Sequence, residues 1–222
     1  MIAERYPHLR LTAAGIVEGD FDLHAIFDNE ERKDVFSVRI APPIDSRAMP
    51  TLTEIGGRTS AIAAKYGIAS VADLHQNPDG TACLCVKQDE ANRFPEGAGL
   101  AHFIEELVVP YLFGLSHFND KGKWPWPDYS HGVLGIAEYY GDIVDAPAPQ
   151  TIATTLDLLK ADPVWREFSR QIRKPSAMRR CMCGSRKPIF RCHKRVWIAV
   201  QKLNSDIHGL GLDMRRTLQK PG

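Results

Sequence analysis

The chain has 222 residues, 44% of them hydrophobic and 25% charged, with a formal net charge of +1. That supports one medium domain with an appendage, or two small domains, around a genuine core. No run approaches the ~20 apolar residues that would cross a bilayer, and the first residues lack the basic-then-apolar pattern of a signal peptide, so a membrane partner is excluded and a cytoplasmic protein with reduced cysteines is expected.

The small net charge conceals a split. Met1 to Asp162 carries 13 basic and 24 acidic residues, whereas Pro163 to Gly222 carries 15 basic and 3 acidic ones. Opposite fields of this size point to two functional regions, and the basic one is a candidate docking surface for an anionic partner.

In chain order, Leu9 to Val17 reads as a strand closed by a Glu18-Gly19-Asp20 turn. Phe21 to Phe27 alternates as a second strand. A polar turn over Asp28 to Asp34 leads to a third strand, Val35 to Ile40. Ala41-Pro42-Pro43 ends the meander, because proline cannot donate to a ladder. Arg58 to Tyr66 has helical composition, with Gly67 as its stop. Val71 to Leu74 reads as a short strand. Leu100, Phe103, Ile104, Leu107 and Val108 recur at helical spacing in Leu100 to Phe118, which Pro110 should kink or divide. The Lys123-Trp124-Pro125-Trp126-Pro127 loop follows, read as a hydrophobic lid or a docking surface. His131 to Val144 is helical by pattern, and Ala146-Pro147-Ala148-Pro149 reads as a stiff linker. Helices are expected over Thr151 to Lys160, Val164 to Arg173 and Val196 to Ser205. The boundary near the linker divides the chain into 1–146 and 147–222.

Chemistry concentrates first at Leu74-His75-Gln76-Asn77-Pro78-Asp79-Gly80-Thr81-Ala82-Cys83-Leu84-Cys85-Val86. A thiol directly after a turn is set where loops present reactive groups. Asn77 can supply an oxyanion donor, and His75 can position the turn or act as a base. Asp73 and Asp79 can orient an incoming amine. Plainer readings stand beside these. A reduced cysteine is often a small buried hydrophobe. Asn-Pro-Asp-Gly is favoured in turns for backbone reasons, and a histidine there can simply bond the turn. Cys85 reads as a core residue.

The segment Gly80-Thr81-Ala82-Cys83-Leu84 resembles the active-site segment of ubiquitin-conjugating enzymes, with His75-Gln76-Asn77 standing where that family has His-Pro-Asn. The stretch Gly122 to Gly132 and Gly135-Ile136-Ala137-Glu138-Tyr139-Tyr140 are similar to bacterial members of the family from short type II CBASS antiphage operons. The resemblance implies an α+β fold, an antiparallel meander with flanking helices. It also implies an enzyme that carries a protein C-terminus as a thioester on Cys83, with His75 and Asn77 in support. The implied substrate is a cGAS-like nucleotidyltransferase. The alternative is a catalytically inactive scaffold that acts through its basic region.

The second signal is Cys181-Met182-Cys183, followed by Cys192-His193. Three thiols and one imidazole within thirteen residues match a closed tetrahedral zinc site, structural because four protein ligands leave no open position. The stretch resembles the SEC-C motif found at the C-terminus of many bacterial proteins; Gly184-Ser185 fits it, while Arg186 and Pro188 depart. The expected product is a small helical module that holds Zn2+ through Cys181, Cys183, Cys192 and His193. It would present Arg179, Arg180, Arg186, Lys187, Arg191, Lys194 and Arg195 to an acidic protein or a nucleic acid.

Overall fold

The computed structural model describes residues 2–43, 45, 48–143 and 147–220, and the chain divides into two compact units. The first comprises residues 1–85 and 89–128, the second 86–88 and 129–222. The class is α+β.

In the first unit a short helix, α1 (Ile2–Arg5), precedes four strands: β1 (Leu9–Leu11), β2 (Val17–Phe27), β3 (Glu30–Ala41) and β4 (Thr51–Glu54). They form an antiparallel meander in sequence order. The expected Glu18-Gly19-Asp20 turn is instead part of β2, which pairs Gly19 with both Leu9 and Val38. The reason is steric: Gly19 has φ +141, and a Cβ there would lie 2.2 Å from the His8 carbonyl oxygen, so only glycine lets β1 approach so closely. The long polar turn contracts to Asp28-Asn29, both with positive φ. A two-residue turn of that kind matches the twist of the flanking strands, so Glu30 to Asp34 joins β3.

Alternation then sends Phe21, Leu23, Phe36, Val38, Ile40 and Leu52 to one face, all buried. They share a core with the long helical stretch made of α4 (Leu100–Phe103), a π-helical segment (Ile104–Val108) and α5 (Val109–Lys121). Pro110 does not divide this helix. It lies in the first turn of α5, separated only by Val109 from the π-helical segment, whose wider turns absorb the missing N–H and the ring's clash with the preceding turn. Between β4 and this helix lie α2 (Arg58–Tyr66), ended by Gly67 at φ +64, a 3-10 turn (Val71–Leu74), a second one (Lys87–Asp89) and α3 (Glu90–Arg93). Val71 to Leu74 is therefore helical rather than extended.

The second unit is all helical: α6 (Val133–Asp142), α7 (Pro149–Ala161), α8 (Trp165–Arg173), α9 (Ile189–Cys192), α10 (Lys194–Gly209) and α11 (Met214–Thr217). Its core gathers Ala137, Tyr140, Ile152, Leu156, Phe168, Ile172, Val196, Val200 and Leu203. The helix expected over His131 to Val144 is α6 of this unit, and its Tyr140 donates a 2.6 Å hydrogen bond to Asp206 of α10. The predicted linker begins at Ala146, which lies outside the described residues; Pro149 opens α7.

Candidate functional site

The first site is a hairpin grown on β4. The Ala82 N–H donates to Leu52 O (2.7 Å), which lays this segment along the strand. The hairpin closes on itself through Cys83 N–H to His75 O (2.7 Å) and Asn77 N–H to Thr81 O (2.8 Å). Asn77-Pro78-Asp79-Gly80 turns its tip: Gly80 N–H donates to Asn77 O at 2.9 Å, and Gly80 takes φ +87. Proline second and glycine fourth are the residues such a turn favours. The Asp79 carboxylate accepts from both the N–H and the hydroxyl of Thr81, which holds it below the usual carboxylate range.

Cys83 thus stands opposite His75 across the hairpin base, and both are half-buried. The imidazole is the most constrained group of the site. His75 itself adopts φ +51. Its Nε2 lies 3.3 Å from Oδ2 of Asp128, and its ring meets Trp124 edge-on with centroids 4.6 Å apart. The Trp124 indole N–H in turn donates to Asp73 O (3.0 Å), the carbonyl two residues before His75. Burial disfavours the imidazolium, but hydrogen bonds to Asp128 and to Cys83, with the charges of both, outweigh it and push His75 up to about 9.

The neighbouring thiol differs. Burial, then the carboxylates of Glu90 and Asp89, push Cys85 up to about 12, so it holds its proton at neutral pH. Of the two cysteines, Cys83 has the histidine partner. Asn77 is committed to its own turn, its amide donating to Thr81 Oγ1 at 3.0 Å. Asp128 carried no signal in the sequence. It follows a proline-rich loop far along the chain, and only the fold returns that loop to His75.

The second site is the Cys/His cluster. The backbone bonds Cys181 N–H to Lys187 O (2.8 Å) and Ile189 N–H to Arg179 O (2.9 Å) close a small loop, with Gly184 at φ +79 and Arg186 at φ +62 turning its tip. The loop presents Cys181 and Cys183, while α9 delivers Cys192 and His193 follows it. The four ligand atoms lie within 4.8 Å of one another, with Cys181 Sγ 3.2 Å from His193 Nδ1 and Cys183 Sγ 3.4 Å from Cys192 Sγ. Tetrahedral zinc at ordinary Zn–S lengths sets sulfurs about 3.8 Å apart, so small adjustments would close the site on a metal ion. Ser185 Oγ, 3.0 Å from Cys192 Sγ, provides a hydrogen-bond partner behind that ligand. Of the four, Cys181 is buried and Cys183 exposed, so the cluster lies at the edge of the unit's core.

The sequence on both sides of the cluster is strongly basic: from Pro163 to Ser205 there are 12 Lys and Arg residues against the single acid Glu167. Arg166, Arg170 and Arg173 follow one another at helical spacing along the exposed side of α8, opposite buried Trp165, Phe168 and Ile172. Among the described residues no helix is long and apolar enough to cross a membrane. Comparison with models of known families, with curated proteins and with solved structures returned no match.

Proposed function

We propose that the protein is a thioester-forming acyl carrier of the ubiquitin-conjugating kind, with Cys83 as its nucleophile. The single observation that carries the reading is the pairing of Cys83 with His75 at the base of an exposed hairpin, beside a Cys85 that burial and two carboxylates keep protonated. In the proposed cycle the Cys83 thiolate attacks an activated C-terminal carboxyl group. The activating group leaves and a thioester forms. An amine then attacks the same carbonyl, loses a proton, and the Cys83 thiolate departs. The four-stranded antiparallel meander agrees with the fold that the Gly80 to Leu84 resemblance implies. On that resemblance the acyl donor is the C-terminus of a cGAS-like nucleotidyltransferase, in the setting of antiphage defence. The Cys/His cluster binds a structural Zn2+ in this reading, since four protein ligands leave no position for substrate.

The test is co-expression with such a nucleotidyltransferase and analysis by non-reducing electrophoresis and intact mass. A conjugate that dithiothreitol removes, that persists in Cys85→Ala and that is absent from Cys83→Ala is the expected result. A conjugate that survives in Cys83→Ala overturns the assignment.

A second reading rests on the basic face of the helical unit, which as a scaffold would bind a polyanion. Arg166, Arg170 and Arg173 line one exposed face of α8; the repulsion between Arg166 and Arg170 at i, i+4 is only partly offset by the favourable place of Arg170 and Arg173 in the last turn. Binding to a poly(U) oligonucleotide that collapses between 50 and 200 mM salt supports nucleic acid as that partner. No retention at low salt leaves an acidic protein as the partner to be tested.

A further inference from the structure

We infer that Asp128 is a positioning residue of the Cys83 site, holding the His75 imidazolium against the sulfur so that it stabilises the thiolate and can pass its proton to the leaving group. The inference rests on the reading of Cys83 as the nucleophile, and it adds to that reading a carboxylate which neither the hairpin nor its sequence motif contains.

The geometry supplies three independent constraints on one ring. The backbone of His75 is held in the left-handed region by the bonds on either side of it, His75 N–H to Ala72 O and Cys83 N–H to His75 O. Trp124 closes one side edge-on at 4.6 Å, and its own N–H is tied to Asp73 O. Asp128 faces Nε2 at 3.3 Å. The titratable groups that act on the ring are Asp128 and Cys83, and both favour its charged form against the cost of burial. Cys85 and Tyr111 of α5 are further ionisable neighbours of the sulfur; burial chiefly keeps both protonated, the Tyr111 phenol well above its usual range.

A nucleophile within reach of a base, with the base oriented by a third group, is the arrangement that activates thiols and hydroxyls in unrelated folds. Here the imidazolium of His75, with Asp128 ionised beside it, stabilises the Cys83 thiolate as it attacks. Sulfur bonds to the acyl carbon, and the imidazolium proton goes to the leaving group. A role confined to holding the loop would leave the imidazole's titration and the thiol's reactivity independent of the carboxylate.

Asp128→Asn keeps the side chain's shape and removes its charge, so it separates these roles without a conjugation partner. Two readouts are used on the full chain: the His75 titration by NMR, and the rate of Cys83 carbamidomethylation by iodoacetamide at pH 7, resolved by mass spectrometry. The wild-type imidazole is expected to titrate near pH 9 and to fall by at least one pH unit in Asp128→Asn. Cys83 alkylation is expected to slow about tenfold or more, the scale of a lost charge-assisted hydrogen bond. In a His75→Ala background Asp128→Asn should cause no further slowing, because the carboxylate acts through the imidazole. An unmoved His75 titration, or equal slowing by Asp128→Asn with and without His75, overturns the inference. The outcomes separate from those of the conjugation test. If alkylation responds as expected while no thioester forms, the pairing stands and the carrier reading fails.

Discussion

Gly114 lies on α5 under the tryptophan loop, and the structure fixes what Gly114→Ala should do. A Cβ there would lie 2.2 Å from Cζ3 and 2.5 Å from Cε3 of Trp124, and 3.3 Å from Cζ2 of Trp126. Gly114 has no positive φ, so alanine gains up to about 1 kcal/mol of helix propensity. Against this stand about 1–3 kcal/mol of overpacking and about 1 kcal/mol for the Trp124-to-Asp73 hydrogen bond that a displaced indole gives up. The ring also packs on Tyr111 and Phe118, so it has little room to retreat within the core. The net is a destabilisation of about 1–3 kcal/mol. In a unit of roughly 125 residues each of those lowers the melting midpoint by about 3–5 °C. Thermal unfolding followed by tryptophan fluorescence and circular dichroism measures it. Because the same indole abuts His75, Cys83 alkylation should slow in parallel. Combining Gly114→Ala with Trp124→Ala removes the collision, so the double variant should lose less stability than the sum of the two singles. A Gly114→Ala protein at least as stable as the wild type, with additive behaviour in the double variant, refutes the packing argument.

Purified protein should contain about one zinc per chain by elemental analysis; Cys192→Ser or a strong chelator should remove it and loosen the helical unit, since Cys181 of the cluster and Ile189 of α9 belong to its core, while the sheet unit keeps its melting transition. Stability of the sheet unit should depend on pH through His75, which is raised in the folded state from 6.5 to about 9. Its contribution, no more than about 3 kcal/mol, is fully present below pH 6.5 and is lost as pH rises through 9. Urea denaturation at pH 6.5 and 9.5 should show this loss, and Asp128→Asn should flatten it. Tyr140→Phe should cost about 1–2 kcal/mol of the helical unit's stability by thermal melting, because losing the 2.6 Å bond from the Tyr140 hydroxyl leaves the Asp206 carboxylate, among the described residues, to Lys202.

Local chemistry explains what was legible in the sequence. Arg58 to Tyr66 with its Gly67 stop, the strand core of β3 and the helices after Pro149 are set by neighbours a few residues away, and each reads from spacing alone. The four candidate ligands read for the same reason: Cys181, Cys183, Cys192 and His193 lie on one short loop and one turn of helix, so their convergence is nearly a local event. The Asn77 to Gly80 turn and the thiol it presents are local as well. Tertiary contacts decided the rest. Gly19 looks like a turn residue until the His8 carbonyl occupies the place of its Cβ. Pro110 looks like a break until the core holds the helix on both sides and a π-helical segment takes up the strain. Asp128 looks like the end of a proline-rich loop until the packing of Trp124 on Gly114 brings that loop back over the cysteine hairpin. The residue types of the proposed nucleophile, Cys83, and its partner His75 were visible in one stretch of thirteen residues. The Asp128 carboxylate comes from a distant segment, and only the folding of α5 and the tryptophan loop against the sheet brings it within 3.3 Å of the imidazole.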